Sequence, residues 1–256
     1  MADYKITFTI NGEEWKPCHL ERLAYERNLH ILHQMKQHGI EIRTDEGPAL
    51  TDDAIDYLTA DEAWEVSAAV RRRYSGEEMR AFYQDSFQSS DDLWKRLPFG
   101  QDKPMRSSHC HVSAEGIALT DYLKVMQKMQ QDENVLLMAH PEHFKTIVTD
   151  SDIIGIEPFG MYGTPTLVHV SICDWTELGE QIRSDRLEDY PMVSTGRAYL
   201  LDGVTEINTP FHQMKPTENG FEGELAVYWP EGVPDEVVDG HSLHLAMEFY
   251  EALKAL

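Results

Sequence analysis

Three groups of residues in this chain have the types and spacing to hold a metal ion. His244 and Glu248 stand four apart in HSLHLAMEFYEALKAL (241–256), whose apolar residues cover well over half of a helical wheel. Both therefore fall on one narrow polar stripe, together with His241 and Glu251, and an imidazole and a carboxylate one turn apart can reach the same ion. The second group is His140-Pro141-Glu142-His143, directly after the apolar run 135–139, and the third is His109-Cys110-His111. Read as strand residues, His109 shares a face with His111 and His140 with Glu142, while Cys110 is aimed oppositely as a small buried hydrophobe. Each group alone is ordinary. Together they offer the mixed nitrogen and oxygen ligands that suit zinc or another divalent transition metal.

Other chemistries lack their residues. There is no phosphate-binding P-loop, no dinucleotide fingerprint and no nucleophile elbow, and the turn 160–163 is not a phosphate cradle. Cys18, Cys110 and Cys173 are odd in number and scattered, which fits free thiols in a reducing compartment. Against 45 acidic residues stand 22 basic ones, a formal net charge of -23, and such a field repels nucleic-acid phosphate and anionic lipid. No run is long and apolar enough for a membrane span or a signal peptide, so the expectation is a cytoplasmic protein with neither nucleic-acid nor membrane partners. His109-x-His111-x3-Glu115 has the spacing of a first cupin motif, which makes a cupin-like metal enzyme an alternative, although the segment after it reads as helix. An amidohydrolase barrel would need a strand-helix alternation that is missing.

The elements that must position these groups fall into two parts. Residues 4–10 form a short strand ending at the turn Asn11-Gly12, and helical periodicity follows over 19–37, 51–58, 62–73, 77–87 and 91–96. Thr59 with Glu62 reads as a cap, and Arg71-Arg72-Arg73 as a solvated helix end. After Pro104 the texture turns to strands, with a helix over 121–130, an apolar strand over 135–139, and further strands at 153–159, 166–172, 198–201 and 221–229. The expected fold class is α+β: a mostly helical N-terminal subdomain over 1–100, serving as lid or dimerisation region, and a metal-binding domain over 101–256 built as a curved antiparallel sheet around the C-terminal helix.

The order and spacing of His111, then Glu142 in its Pro-Glu-His setting, then His-x-x-x-Glu-Phe in HLAMEFYEAL, resemble the diacetylphloroglucinol hydrolase and phloretin hydrolase family over about residues 100–256. The resemblance implies a Bet v1-like helix-grip domain, a homodimer, and a zinc ion held by His111, Glu142, His244 and Glu248, with His109 as the substitute for His111. It further implies hydrolysis of the carbon-carbon bond between an acyl group and a polyhydroxylated aromatic ring, by attack of metal-activated water on the ketone. His169 and His212, with Tyr162, Tyr228 and Tyr199, are the candidates for holding phenolic oxygens and moving protons. A rival expectation from the same fold is a non-catalytic helix-grip module that binds an apolar small ligand without metal.

Overall fold

A computed structural model describes residues 4–44, 46–100, 102–148, 152–161 and 163–254. The chain opens with a hairpin, β1 (Lys5–Ile10) and β2 (Glu13–Trp15), turned at Asn11 and Gly12 with φ of 52° and 80°. Two successive positive φ values match the right-handed twist of the flanking strands, which is why Asn-Gly stands there. Five helices follow: α1 (Pro17–Gln37), α2 (Asp52–Asp56), α3 (Ala60–Arg73), α4 (Gly76–Phe82) and α5 (Gln84–Trp94). Thr59 with Glu62 and Ser75 with Glu78 close reciprocal capping boxes on α3 and α4.

The long strand β3 (Met105–Glu115) leads into α6 (Leu119–Gln131) and α7 (Glu133–Ala139). Then come β4 (Lys145–Val148), β5 (Asp152–Pro158), β6 (Pro165–Ile172), β7 (Met192–Leu200), β8 (Glu206–Thr217) and β9 (Gly220–Pro230). A 3-10 turn (Trp175–Glu177) and the short α8 (Glu180–Ser184) join β6 to β7, and α9 (Asp235–Lys254) ends the described chain. The strands make one antiparallel sheet in the order β2-β1-β3-β9-β8-β7-β6-β5-β4. β4 to β9 are a meander, and β3 lies between its last strand and the N-terminal hairpin.

The mixed α+β architecture with a C-terminal helix is the one expected. α9 packs on one face of the sheet, where Cys110, Val112, Leu225, Val227 and Trp229 meet Leu245, Ala246, Phe249 and Leu253. A smaller cluster of Leu178, Ile182, Phe211, Ala226 and Tyr228 covers part of the outer face. The N-terminal helices have their own core around Ile31, Val66, Val70 and Tyr83, but it continues into Phe144, Ile156 and Leu167. With β1 also paired to β3, both sheet and core cross residue 100.

Two local expectations need correcting. Residues 135–139 are not a strand but the body of α7, because a short apolar run fits a buried helix as well as a strand and tertiary packing decides. Arg71 is not a solvated helix end but fully buried. One contact fixes how α9 meets the sheet: a Cβ on Gly240 would overlap the Gly160 carbonyl, and one on Gly160 (φ 80°) would overlap the backbone at Val237. The turn after β5 therefore rests directly on the helix, placing Phe159 against Trp229 and His241.

Candidate metal centre

The sequence HPEHF crosses from the end of α7 to β4 as an irregular turn, so the alternation expected of a strand does not apply to it. His140, Glu142 and His143 are all buried there, against the middle of α9. Among the described residues, His140, His143 and His244 form the one group of three or more possible ligand side chains whose donor atoms lie within 4.8 Å of one another. The rings of His140 and His244 stack with centroids 3.7 Å apart, and His241 stacks on the other side of His244 at 4.7 Å. His143 stands beside both, 5.4 Å from His140 and 5.3 Å from His244.

Burial is the main reason that His140, His244 and His241 stay neutral. It holds His140 and His244 well below the ordinary histidine range, with neighbouring histidines and Arg27 adding to the effect. Burial likewise brings His241 down to about 4, with His143 adding to it and Glu157 opposing. A neutral ring keeps the lone pair a metal needs. His244 Nδ1 donates to Glu142 Oε2 at 3.2 Å, which leaves Nε2 as its free nitrogen. His140 Nδ1 accepts from the Glu142 amide at 3.0 Å, and its buried Nε2 has no hydrogen-bond partner among the described residues. With Nδ1 accepting, the ring proton sits on that Nε2, so an oxygen acceptor such as a substrate carbonyl is the partner it lacks, and ligation of a metal by His140 would use the Nδ1 lone pair in place of the Glu142 amide.

A cavity of about 220 Å3 opens beside the cluster and is lined by His143, His241, His244 and Glu248. Its other polar groups are Lys145, Thr146, Glu157, Asn208 and His212, and its apolar wall includes Phe159, Val168, Val170 and Val227. Burial raises the Glu248 carboxyl above the usual carboxylate range, with Glu157 adding to it and His143 opposing. Burial brings His212 down to about 4, with His241 contributing. His143 Nε2 lies 3.3 Å from Glu157 Oε2.

No family model matches the chain. The curated proteins likewise contain no match to it.

Of the residues singled out in the sequence, His143, His241, His244, Glu248 and His212 reach this cavity. Glu142 is at the cluster, but its carboxylate is engaged by the Arg27 guanidinium and by His244. His111 is not there. It lies on the outer face of β3, its Nδ1 2.7 Å from Glu224 Oε1, a hydrogen bond that raises its pKa. His109 shares that face, bonded to Ser107 and beside Tyr228, and Glu115 pairs with Lys5 in the open, so the cupin-like trio does not assemble. The parity that joined His109 to His111 holds, but it is Cys110 that faces α9.

His169 alternates away from the cavity that Val168 and Val170 line, and bonds Ser171. Tyr228 likewise points outward, its hydroxyl donating to Asp185, while Val227 lines the cavity. Tyr199 is paired opposite His169 and is absent from the lining. Tyr162 lies outside the described residues. Sequence reading missed Arg27, Glu157 and Asn208. His140 and His143 belong to the second candidate metal group and His241 to the polar stripe of the C-terminal helix, but the ligand set that the resemblance implies contains none of the three. Their signal was the density of histidine itself, four in the two segments that meet.

Proposed function

We propose that the chain is a divalent-metal-dependent hydrolase cleaving the carbon-carbon bond between an acyl group and a polyhydroxylated aromatic ring. The single observation that carries the reading is a buried three-histidine cluster, two of whose rings burial keeps neutral, opening on a cavity with an aromatic-sized apolar wall and a carboxyl, Glu248, that burial holds above the usual range. The order of strands, with β3 followed by two helices and then a meander whose last strand, β9, pairs back with β3, and with α9 packed on the sheet, supports a helix-grip fold. His140, His143 and His244 would hold the metal in place of the expected set, with Glu248 beside them and Glu142 orienting His244. A bound divalent ion supplies an acidified water and polarises a ketone oxygen.

The chain's own residues do the rest. A cavity of about 220 Å3 takes one substituted aromatic ring, since apolar cavities of about 150 Å3 accept benzene. Phe159, Val168, Val170 and Val227 lie against the ring and exclude water. The Asn208 amide and His212 bond the phenolic oxygens and orient the acyl group toward the cluster. Glu248, held toward its protonated form by burial, delivers a proton from its carboxyl to the ring carbon as the acyl bond breaks.

The test is elemental analysis of the purified protein and of His244→Ala, followed by assay of acyl phloroglucinols. About one zinc, iron or manganese per chain, lost in the variant, with release of a carboxylic acid and the free phenol, supports the reading. A protein that binds no metal even when zinc is supplied sinks it. The apolar wall then favours the second reading, a module that binds an apolar ligand without catalysis.

A further inference from the structure

The histidine turn begins where α7 ends. The last carbonyls of a helix have no partner within it, and the irregular residues that follow offer none in a ladder. Three of these carbonyls, on Leu137, His140 and His143, converge on one nitrogen of Arg71: each oxygen is 2.8 Å from Nη1. Arg71 belongs to α3, and its Nε donates to Ser67 O one turn back at 3.2 Å, which fixes the direction of the guanidinium. The residue is fully buried. Burial and the adjacent Arg72 work against its charge, and the three carbonyl dipoles together with the end of α7 stabilise it.

We propose that Arg71 is a positioning residue for the metal cluster: by gathering the carbonyls of His140 and His143 onto one guanidinium, it sets the separation of their imidazoles. The inference rests on the reading of the three histidines as a metal centre. It makes affinity for the ion a property of an N-terminal helix that contributes no ligand. Lysine at this position keeps the charge but presents a single ammonium on a flexible stem, without the fork that Nε anchors.

The experiment compares zinc affinity, by competition with a chromophoric chelator, in the parent, Arg71→Lys, and Val66→Ala. The last removes buried packing from the same helix without touching the carbonyls. The expected result is a 10- to 100-fold weaker Kd for Arg71→Lys, the range typical of groups that orient ligands, with an altered absorption spectrum of the cobalt form and Val66→Ala close to the parent. Parent affinity and an unchanged cobalt spectrum in Arg71→Lys would overturn the proposal, as would an equal loss in Val66→Ala. If Arg71→Lys does not fold, Arg71→Gln carries the same readouts. Should the parent bind no metal, the hydrolase reading fails separately. Histidine ring-nitrogen spectra of the metal-free protein then decide: His140, His143 and His244 must shift in the variant while His212 and His169 stay put, and no shift overturns the positioning role.

Discussion

His244 Nδ1 donates to Glu142 Oε2 at 3.2 Å, a hydrogen bond between residues 102 apart in sequence. Glu142 is completely buried and its second carboxylate oxygen meets the equally buried Arg27. Removing one partner of a buried ion pair costs about 3–5 kcal/mol because the other charge is stranded. Glu142→Gln should lower stability by that order in urea unfolding. It should also weaken zinc by about 10- to 100-fold, through the lost orientation of His244. Unchanged zinc affinity would show that His244 is held by packing alone.

His111→Ala should leave metal content as in the parent and cost about 1 kcal/mol or less, since its Glu224 partner is solvent-accessible. Elemental analysis checks this directly. Loss of the metal would restore β3 as a ligand strand and refute the arrangement described above.

Glu248→Gln is expected to reduce turnover of an acyl phloroglucinol by about 10²–10⁴, the range for loss of a proton-transferring group, with the cavity and fold unchanged. Steady-state rates give the size of the effect. Parent-like turnover would remove Glu248 from the proton's path.

Acid should destabilise the metal-free protein before carboxylates are protonated. His212 in the folded chain resists protonation until about pH 4, whereas in the unfolded chain it titrates near the ordinary histidine value of about 6.5. Below 6.5 the unfolded state therefore holds more protons, and stability falls as pH drops toward 4. The contribution is about 3 kcal/mol for a shift of that size. Urea midpoints at pH 7.5, 5.5 and 4.5 should fall in that order, with a shallower fall in His212→Gln. Parallel curves for the two proteins would contradict the buried neutral imidazole.

Gly240→Ala should destabilise by about 2 kcal/mol or more, because the new methyl meets backbone of the turn at Gly160, which cannot yield as a side chain would. Thermal unfolding of the variant gives the cost. A melting temperature equal to the parent's would mean that the turn and helix separate freely.

The sequence carried much of this organisation where local physics dominates. Asn11-Gly12, the Thr59-Glu62 box and the apolar wrap of residues 241–256 each announce their element, and the polar stripe of His241, His244, Glu248 and Glu251 was visible before any strand was placed. Strand parity correctly separated Cys110 from His109 and His111, but it gives no sign of which face meets a helix more than a hundred residues away. That is why His111 looked like a ligand. The turn at His140 was misread because alternation was assumed where no strand exists. Arg27 and Arg71 left no local signal, since an arginine on a helix reads as solvated until its tertiary neighbours are known.

β3 finds its partner in β9, with Met105 opposite Pro230, and the histidine turn finds its partner in α9. Both closures span more than a hundred residues, so neither can form until the whole meander has emerged and folded back. Contacts of such long range are slow to make, because the chain loses the freedom of a large loop before it gains the contact. The cluster is therefore a late product of folding, and an ion offered to the growing chain finds the first two histidines long before the third arrives.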